Sequence, residues 1–220
     1  MTDRDPRLPT LLDQLEAARG LADPVPSTDG WRLVLAENIG YLVDDERRWL
    51  AVAELELRVG LAPDRILTAQ DEVLRGIVIG MSPDQRVARL RRCAELAVAG
   101  ASWTAYPGIG RPGAERIELF TGARAVLALD ANCLRVLTRL GYGSPGRTYA
   151  VGYRQAQAAA SAELPARSPA LVRAHQLLRR HGREVCTRKD PACRHCPPGS
   201  DTNCPRARDV RHRGNCPQRV

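Results

Sequence analysis

Lysine is almost absent from this sequence. Of its 33 basic residues only Lys189 is a lysine, and all the others are arginines. Because a Schiff base needs an amine, reactions that pass through a lysine adduct have almost no candidate nucleophile here. Long apolar runs are also absent, since no segment approaches the about 18 consecutive apolar residues of a membrane span, and no secretory leader is visible. We therefore expect a cytoplasmic protein with no membrane partner.

Aromatic side chains are scarce too, at 4% of the 220 residues, whereas Ala and Leu recur at helical spacing. Helix starts are marked by Asp44–Glu46 and Ser82–Asp84, and helix ends by Gly60 and Gly100. After His181 the periodic pattern stops. The sequence therefore predicts an almost entirely α-helical protein, in which the last two helices cover about 148–163 and 168–180.

The net charge of +8 is concentrated at one end of the sequence. Residues 173–220 contain 12 Arg or Lys and 4 Asp or Glu, so the remainder of the chain is neutral. A basic segment beside a neutral body favours a polyanionic partner, most simply nucleic acid. A merely solvated basic tail is the alternative.

A glycine-rich turn, Tyr106-Pro-Gly-Ile-Gly-Arg111, separates two predicted helices. Pro107 restricts φ, whereas Gly108 and Gly110 allow backbone conformations that a Cβ would forbid. Pro112 favours a helix start at this point. Such a hairpin directs unpaired N–H groups toward one point, which creates an anion site suited to phosphate, although an ordinary turn would have the same composition.

Cysteines cluster near the end of the chain. Cys186, Cys193 and Cys196 have six and two residues between them, Cys204 follows after seven more, and Cys216 comes later. Clustered cysteines in a cytoplasmic chain favour metal binding over disulfides. Zinc is the metal most often bound by a Cys-x2-Cys pair, but the x6-x2 spacing matches a [4Fe–4S] loop. The remaining two cysteines, on apolar helix faces, are predicted core residues: Cys93 and Cys133.

Taken together, these motifs resemble the endonuclease III superfamily of helix-hairpin-helix DNA glycosylases. The resemblance covers about residues 30–204. It includes the hairpin, the segment Leu129–Val136, the loop Ile79–Met81, and His181–Cys196 at the entry to the iron–sulfur loop. It implies a two-lobed all-α fold, with a six-helix barrel over 25–126 and an iron–sulfur lobe formed by 1–24 and 127–220, and with DNA between the lobes.

The resemblance also assigns roles to individual residues. Asp130 would stabilise the positive charge that develops on the sugar, although it could instead be only an N-cap. Glu37, on an otherwise apolar helix, would protonate a departing purine if burial raises its pKa, but it could instead be a structural glutamate that acts as a cap or pairs with an arginine. A base must be flipped out before excision. The predicted DNA contacts are Gly108, Ile109, Gly110 and Arg111, with Met81 and Tyr41 as wedges or, alternatively, packing residues.

Two positions depart from the family pattern. Pro112 occupies the place of the lysine that strand-cutting members carry, and Cys204 follows after seven residues where five are usual, which leaves Cys216 as a possible fourth ligand. We therefore expect a monomeric, nucleoid-associated, monofunctional DNA glycosylase acting on a damaged or mismatched base in double-stranded DNA. The alternatives are a bifunctional glycosylase/lyase for oxidised pyrimidines and a non-catalytic lesion-binding protein.

Overall fold

The computed structural model describes residues 7–143, 148–197 and 204, without the side chain of Tyr41. The regular secondary structure of the described chain is helical apart from two short strands, β1 (Gly40–Tyr41) and β2 (Ile79–Gly80), which pair in parallel. Its helices are α1 (Arg7–Arg19), α2 (Gly30–Ile39), α3 (Asp45–Arg58), α4 (Pro63–Thr68), α5 (Asp71–Ile77), α6 (Pro83–Val98), α7 (Arg111–Phe120), α8 (Ala131–Arg139), α9 (Tyr149–Ser161) and α10 (Ser168–Glu184).

Helix starts follow from local chemistry. Asp29 caps α2 by accepting a hydrogen bond from the Trp31 N–H at 2.8 Å, and Asp44 caps α3 through the Arg47 N–H at 2.8 Å. These carboxylates satisfy amides that have no partner within their helix. Prolines occupy the first turns of α4, α6, α7 and α10, where a missing N–H costs nothing.

The chain divides into two compact units. The hairpin unit, residues 26–123, contains the six helices α2 to α7. Burial of apolar surface is the main force that stabilises such a unit. Its core is made of aliphatic side chains that are entirely buried: Leu35, Ile39, Leu55, Ile66, Leu74 and Leu90.

The cysteine unit combines residues 1–25 with 124–220. Four leucines of α1 are buried: Leu8, Leu11, Leu12 and Leu15. Charged pairs add to this packing, since Arg173 of α10 contacts Asp13 and Glu16 of α1 at 2.8 and 2.5 Å. Helix α10 also approaches α8 closely, because a Cβ added to Gly182 would lie only 2.8 Å from the Cβ of Asn132.

The sequence-based prediction of an all-α protein is confirmed, with two differences. Helix α10 continues four residues beyond the predicted end at 180. Its last turn remains ordered by tertiary packing, since His181 and Gly182 are buried. The β1–β2 pair was not predicted, because two-residue strands leave no periodic signal. Cys93 and Cys133 are fully buried, as expected, and burial raises the pKa of the Cys93 thiol to about 12. None of the helices in the described ranges has the length and apolar character needed to cross a membrane.

Candidate functional site

The glycine-rich turn lies between a 3-10 turn (Trp103–Ala105) and the start of α7. Gly108 has a φ of +74°, a conformation that favours glycine. Ile109 is buried and anchors the turn, while Gly108 and Gly110 are exposed. Among the described residues, the N–H groups of these two glycines form no backbone hydrogen bond. The turn therefore presents free donors beside the positive end of the α7 dipole.

Two arginines lie near this turn in different situations. The Nε of Arg111 donates to Glu115 Oε1 at 2.7 Å, and that carboxylate is almost completely buried. Arg89 of α6 reaches the turn from another direction, because its Nη1 lies 3.5 Å from where a Cβ on Gly108 would stand. Arg89 was not recognised from the sequence, since nothing local indicates which turn of α6 passes the hairpin.

Glu37, in α2, forms an ion pair with Arg116 of α7 at 2.5 Å, and its side chain remains 30% exposed. A general-acid glutamate would need an apolar environment, but the carboxylate of Glu37 instead contacts the guanidinium of Arg116. This is the structural arrangement that the sequence left open beside the general-acid role. The neighbouring Asn38 is fully buried, with its Nδ2 donating to Val34 O at 3.0 Å.

Asp130 is the N-cap of α8. Its Oδ1 accepts hydrogen bonds from the backbone N–H groups of Asn132 and Cys133, both at 2.8 Å. Its Oδ2 lies 3.0 Å from the Nε of Arg179. Burial opposes ionisation of this carboxyl, but the Cys133 N–H and the charges of His175 and Arg179 outweigh it and lower the pKa of Asp130 to about 2. Asp130 is therefore an anion at neutral pH.

Hydrogen bonds continue from Asp130 along α8. Asn132 donates through Nδ2 to Asp130 Oδ2 at 3.2 Å and accepts at Oδ1 from Arg135 Nη2 at 2.8 Å. Arg135 then donates through Nε to the carbonyl of Cys186 at 2.8 Å. One helix thus connects the capping carboxylate with the start of the cysteine-rich segment.

Four cysteines line a single cavity of the cysteine unit, with an empty volume of about 390 Å³ that includes its open side. They are the four candidate ligands Cys186, Cys193, Cys196 and Cys204. The rest of the lining is mainly apolar: Val136, Leu140, Val185 and Pro191. Within residues 7–143, 148–197 and 204, no three His, Cys, Asp or Glu side chains are grouped as they would be around a single metal ion. Cys216, the other possible ligand, lies outside the described residues.

Two polar side chains contact these sulfurs. Arg139 Nη1 donates to Cys186 Sγ at 3.2 Å and to the Thr187 carbonyl at 2.8 Å, which ties the segment to the end of α8. His181 Nε2 lies 3.5 Å from Cys196 Sγ. Burial and the charge of Arg19 lower the pKa of His181 to about 4, so its imidazole is neutral at physiological pH.

Comparison of the fold with solved structures gives three informative matches. A non-covalent endonuclease III–DNA complex matches with a TM-score of 0.75 and 16% identity over 95% of this chain and 99% of that chain. A trapped endonuclease III–DNA covalent intermediate gives a TM-score of 0.71 and 16% identity over 96% and 99%. A thermostable thymine-DNA glycosylase gives a TM-score of 0.68 and 17% identity over 86% and 90%. This chain has the endonuclease III fold. No family model and no curated protein matches the sequence.

Within the endonuclease III fold the two units carry different predicted residues. The hairpin unit holds Gly108, Ile109, Gly110 and Arg111, together with Glu37 and Met81. The cysteine unit holds Asp130 and the four cysteines. Met81 follows β2 and is 63% exposed. The backbone of Tyr41 pairs with Gly80, but its side chain lies outside the described part of the chain, so its role as a wedge stays a prediction.

Proposed function

We propose that this chain is a monofunctional DNA glycosylase that removes a damaged or mismatched base from double-stranded DNA in base excision repair. The observation that carries the proposal is the ionised, partly buried Asp130 at the N-terminus of α8, in a chain with the endonuclease III fold. The neighbouring solved structures include an endonuclease III and a thymine-DNA glycosylase, which supports a glycosylase activity.

Asp130 suits one step of such a reaction. Cleavage of a glycosidic bond leaves an oxocarbenium-like sugar, which a fixed carboxylate stabilises electrostatically. A carboxyl with a pKa of about 2 stays ionised throughout the working pH range. It is a poor general base, because efficient bases have a pKa close to the operating pH. Asp130 is therefore assigned the role of counter-charge to the sugar.

DNA binding is assigned to the glycine turn. Free N–H groups at a helix N-terminus bind phosphate without reading sequence, and Arg89 adds a cation at the same place. Arg111 contributes less to phosphate binding than its position in the motif implies, because its guanidinium is engaged by Glu115. Sequence-independent binding suits an enzyme that must recognise a base in any context.

The absence of a lysine directly after the hairpin arginine supports release of the base without strand cleavage. Pro112 stands in the first turn of α7 where strand-cutting relatives carry a lysine, and proline cannot form a Schiff base. Lys189, the only lysine of the chain, is exposed in the segment between Cys186 and Cys193. It is better placed to contact a phosphate than to act as a nucleophile.

The residues around the cysteine cavity fit a [4Fe–4S] cluster. Four thiols line one largely apolar cavity, and Arg139 already donates to one of the sulfurs, as hydrogen-bond donors do around thiolate ligands. Cys186, Cys193, Cys196 and Cys204 would hold the cluster. When bound, it would supply a structural crosslink for a segment that has too few apolar residues to fold on its own.

Excision assays on a panel of lesion duplexes test the activity. The panel includes mismatched uracil and thymine, adenine mispairs, alkylated purines and oxidised pyrimidines, each incubated with wild type and Asp130→Asn. We expect one class to be excised and Asp130→Asn to be slower by about 10²–10³ with DNA affinity retained. Failure to excise any lesion, with binding intact, would favour the non-catalytic alternative.

Borohydride trapping tests the absence of lyase chemistry. We expect no covalent protein–DNA adduct, and strand breaks only after alkali or heat. Lys189→Ala is the control, because it removes the only side-chain amine. A strong adduct in wild type would identify a bifunctional enzyme, and its persistence in Lys189→Ala would assign the nucleophile to the terminal amine.

A further inference from the structure

One face of α9 follows the segment of the cysteine unit that leads to Asp130. Gln157 donates through Nε2 to the carbonyl of Leu127 at 2.9 Å, and the hydroxyl of Tyr153 accepts a hydrogen bond from the Leu129 N–H at 3.2 Å. Four residues of α-helix rise about 6 Å, and two residues of extended chain span about 6.6 Å. Each step of four residues back along α9 therefore advances two residues along the segment.

Tyr149, the first residue of α9, is the next residue on this face, four positions before Tyr153. The register therefore brings Tyr149 next to Asp130, at the N-terminus of α8. Its ring packs against the ring of Tyr153, with the centroids 6.1 Å apart and the planes inclined by 35°, within the range that aromatic pairs favour. Partial burial and the negative charge of Asp130 raise the pKa of Tyr149, which agrees with this position and keeps its hydroxyl protonated at neutral pH.

The two tyrosines differ in exposure. Tyr153 is 2% exposed and belongs to the core, whereas Tyr149 is 56% exposed. Of the aromatic side chains that the structure describes, Tyr149 is the only one in the exposed class. A single exposed apolar side chain needs no special explanation in a soluble protein. The position of Tyr149 is what distinguishes it, because an uncharged aromatic ring stands beside the carboxylate to which the reaction is assigned.

The role of Asp130 identifies what this ring would contact. A counter-charge to the sugar lies against the sugar of the flipped nucleotide, so the base attached to that sugar is close to Asp130 as well. A flipped base has lost its stacking partners in the duplex, and aromatic side chains replace them, since every base has a face that stacks. We infer that Tyr149 stacks on the flipped base and thereby contributes to the choice of substrate. This inference rests on the proposed function for its ligand, and no sequence motif indicated Tyr149.

Affinities for two matched duplexes test the contact with the base. One is the lesion duplex of the panel that is bound most tightly, and the other carries tetrahydrofuran, an abasic-site analogue without a base, at the same position. The measurements use the Asp130→Asn background, so that the base stays attached. Tyr149→Ala should bind the lesion duplex about 10-fold more weakly or worse and the tetrahydrofuran duplex as before, which also shows that it is folded. Tyr149→Phe keeps the ring and should bind both normally. Leu21→Ala, a 79% exposed leucine of the same unit, is the control.

The outcomes separate this inference from the proposed function. Loss confined to the lesion duplex supports stacking even if wild type excises nothing, in which case only the glycosylase activity fails. Equal loss on both duplexes overturns stacking on the base, because the contact would then be with the sugar and phosphates or the variant would be unfolded. Loss in Tyr149→Phe as large as in Tyr149→Ala overturns it too, since the hydroxyl rather than the ring would be responsible. Unchanged affinity in Tyr149→Ala removes Tyr149 from the site, while an excision by wild type leaves the glycosylase in place.

Discussion

Arg179 and Asp130 form an ion pair within the cysteine unit, with the Arg179 Nε 3.0 Å from Asp130 Oδ2. The Asp130 side chain is only 17% exposed, so solvent screens this contact weakly. The pair lies on the oxygen that the N-cap hydrogen bonds leave available, since Oδ1 is used by two backbone amides. Arg179 therefore completes the set of contacts that keep Asp130 ionised.

Acid should remove a measurable part of the folding free energy at this site. The pKa of Asp130 falls from an ordinary 3.8 to about 2 in the folded chain, so its carboxylate stabilises the fold above about pH 4 and the effect is lost as pH falls through 2. That shift corresponds to about 2 kcal/mol. In urea unfolding, wild type should exceed Asp130→Asn by this amount at pH 5 and match it near pH 2, since asparagine retains the N-cap.

The same measurement on Arg179→Gln isolates the ion pair. Removing the guanidinium should raise the pKa of Asp130 and shrink the pH-dependent difference. Arg180→Gln serves as comparison, because Arg180 contacts Asp23 and the Gly20 carbonyl instead. If the difference in unfolding free energy between wild type and Asp130→Asn were the same at pH 5 and pH 2, the low pKa assigned to Asp130 would be refuted.

Gly108→Ala should weaken DNA binding through the backbone of the turn. A Cβ at Gly108 meets only ordinary contacts, so the cost comes from its φ of +74°. Gly122→Ala is a matched control, because Gly122 has a φ of +75° and open space around it but lies outside the turn. Both variants should lose about 1–2 kcal/mol of stability, and only Gly108→Ala should lose affinity.

Salt titration adds a second readout to that comparison. Arg89→Ala should reduce the slope of log K against log salt by about 0.9, the value for one phosphate contact. Arg92→Ala, on the same helix and paired with Glu95, should leave the slope unchanged. Equal slopes for Arg89→Ala and wild type would remove Arg89 from the phosphate site.

Iron content should follow the four cysteines of the cavity. Cys186→Ser should lose iron and the visible absorption of the cluster, while Cys216→Ser should retain both.

Arg139→Gln should bind iron but release it faster to a chelator, because the hydrogen bonds to Cys186 Sγ and the Thr187 carbonyl are lost. Stoichiometric zinc in colourless wild-type protein would contradict the cluster, and iron loss in Cys216→Ser would make Cys216 a ligand.

Glu37→Gln distinguishes a general acid from a structural glutamate. If Glu37 protonates the leaving base, excision should fall by about 10²-fold or more with DNA affinity unchanged. Arg116→Gln breaks the same ion pair without removing the carboxyl, so it should preserve most of the excision rate. If both variants lose similar stability and keep full excision, the pair is structural only.

The sequence predicted those features that are determined by a few neighbouring residues. The cap at Asp130, the turn at Gly108 and the burial of Cys93 each follow from a few neighbouring residues, and all three are present. The resemblance to endonuclease III predicted the fold from the order of such motifs. These motifs can be recognised in a single sequence because their backbone geometry depends on particular residue types.

Contacts between distant segments could not be predicted in the same way. Glu37 meets Arg116 from 79 positions away, and Arg179 meets Asp130 from 49. In a chain with so many arginines, composition alone does not indicate which one pairs with a given carboxylate. The positive φ of Leu42 could not be predicted from the sequence either, because leucine rarely adopts that conformation and nothing in its neighbours indicates it.

The cysteine unit is built from two stretches that are far apart in the sequence, and this has a consequence for synthesis on the ribosome. Helix α1, with its four buried leucines, leaves the ribosome before the hairpin unit, whereas its partner α10 comes about 150 residues later. Because domains tend to fold as they emerge, the hairpin unit can fold while α1 still lacks a partner. The ion pairs of Arg173 with Asp13 and Glu16 can form only after α10 has been synthesised, so the leucine face of α1 is without its packing partner until then.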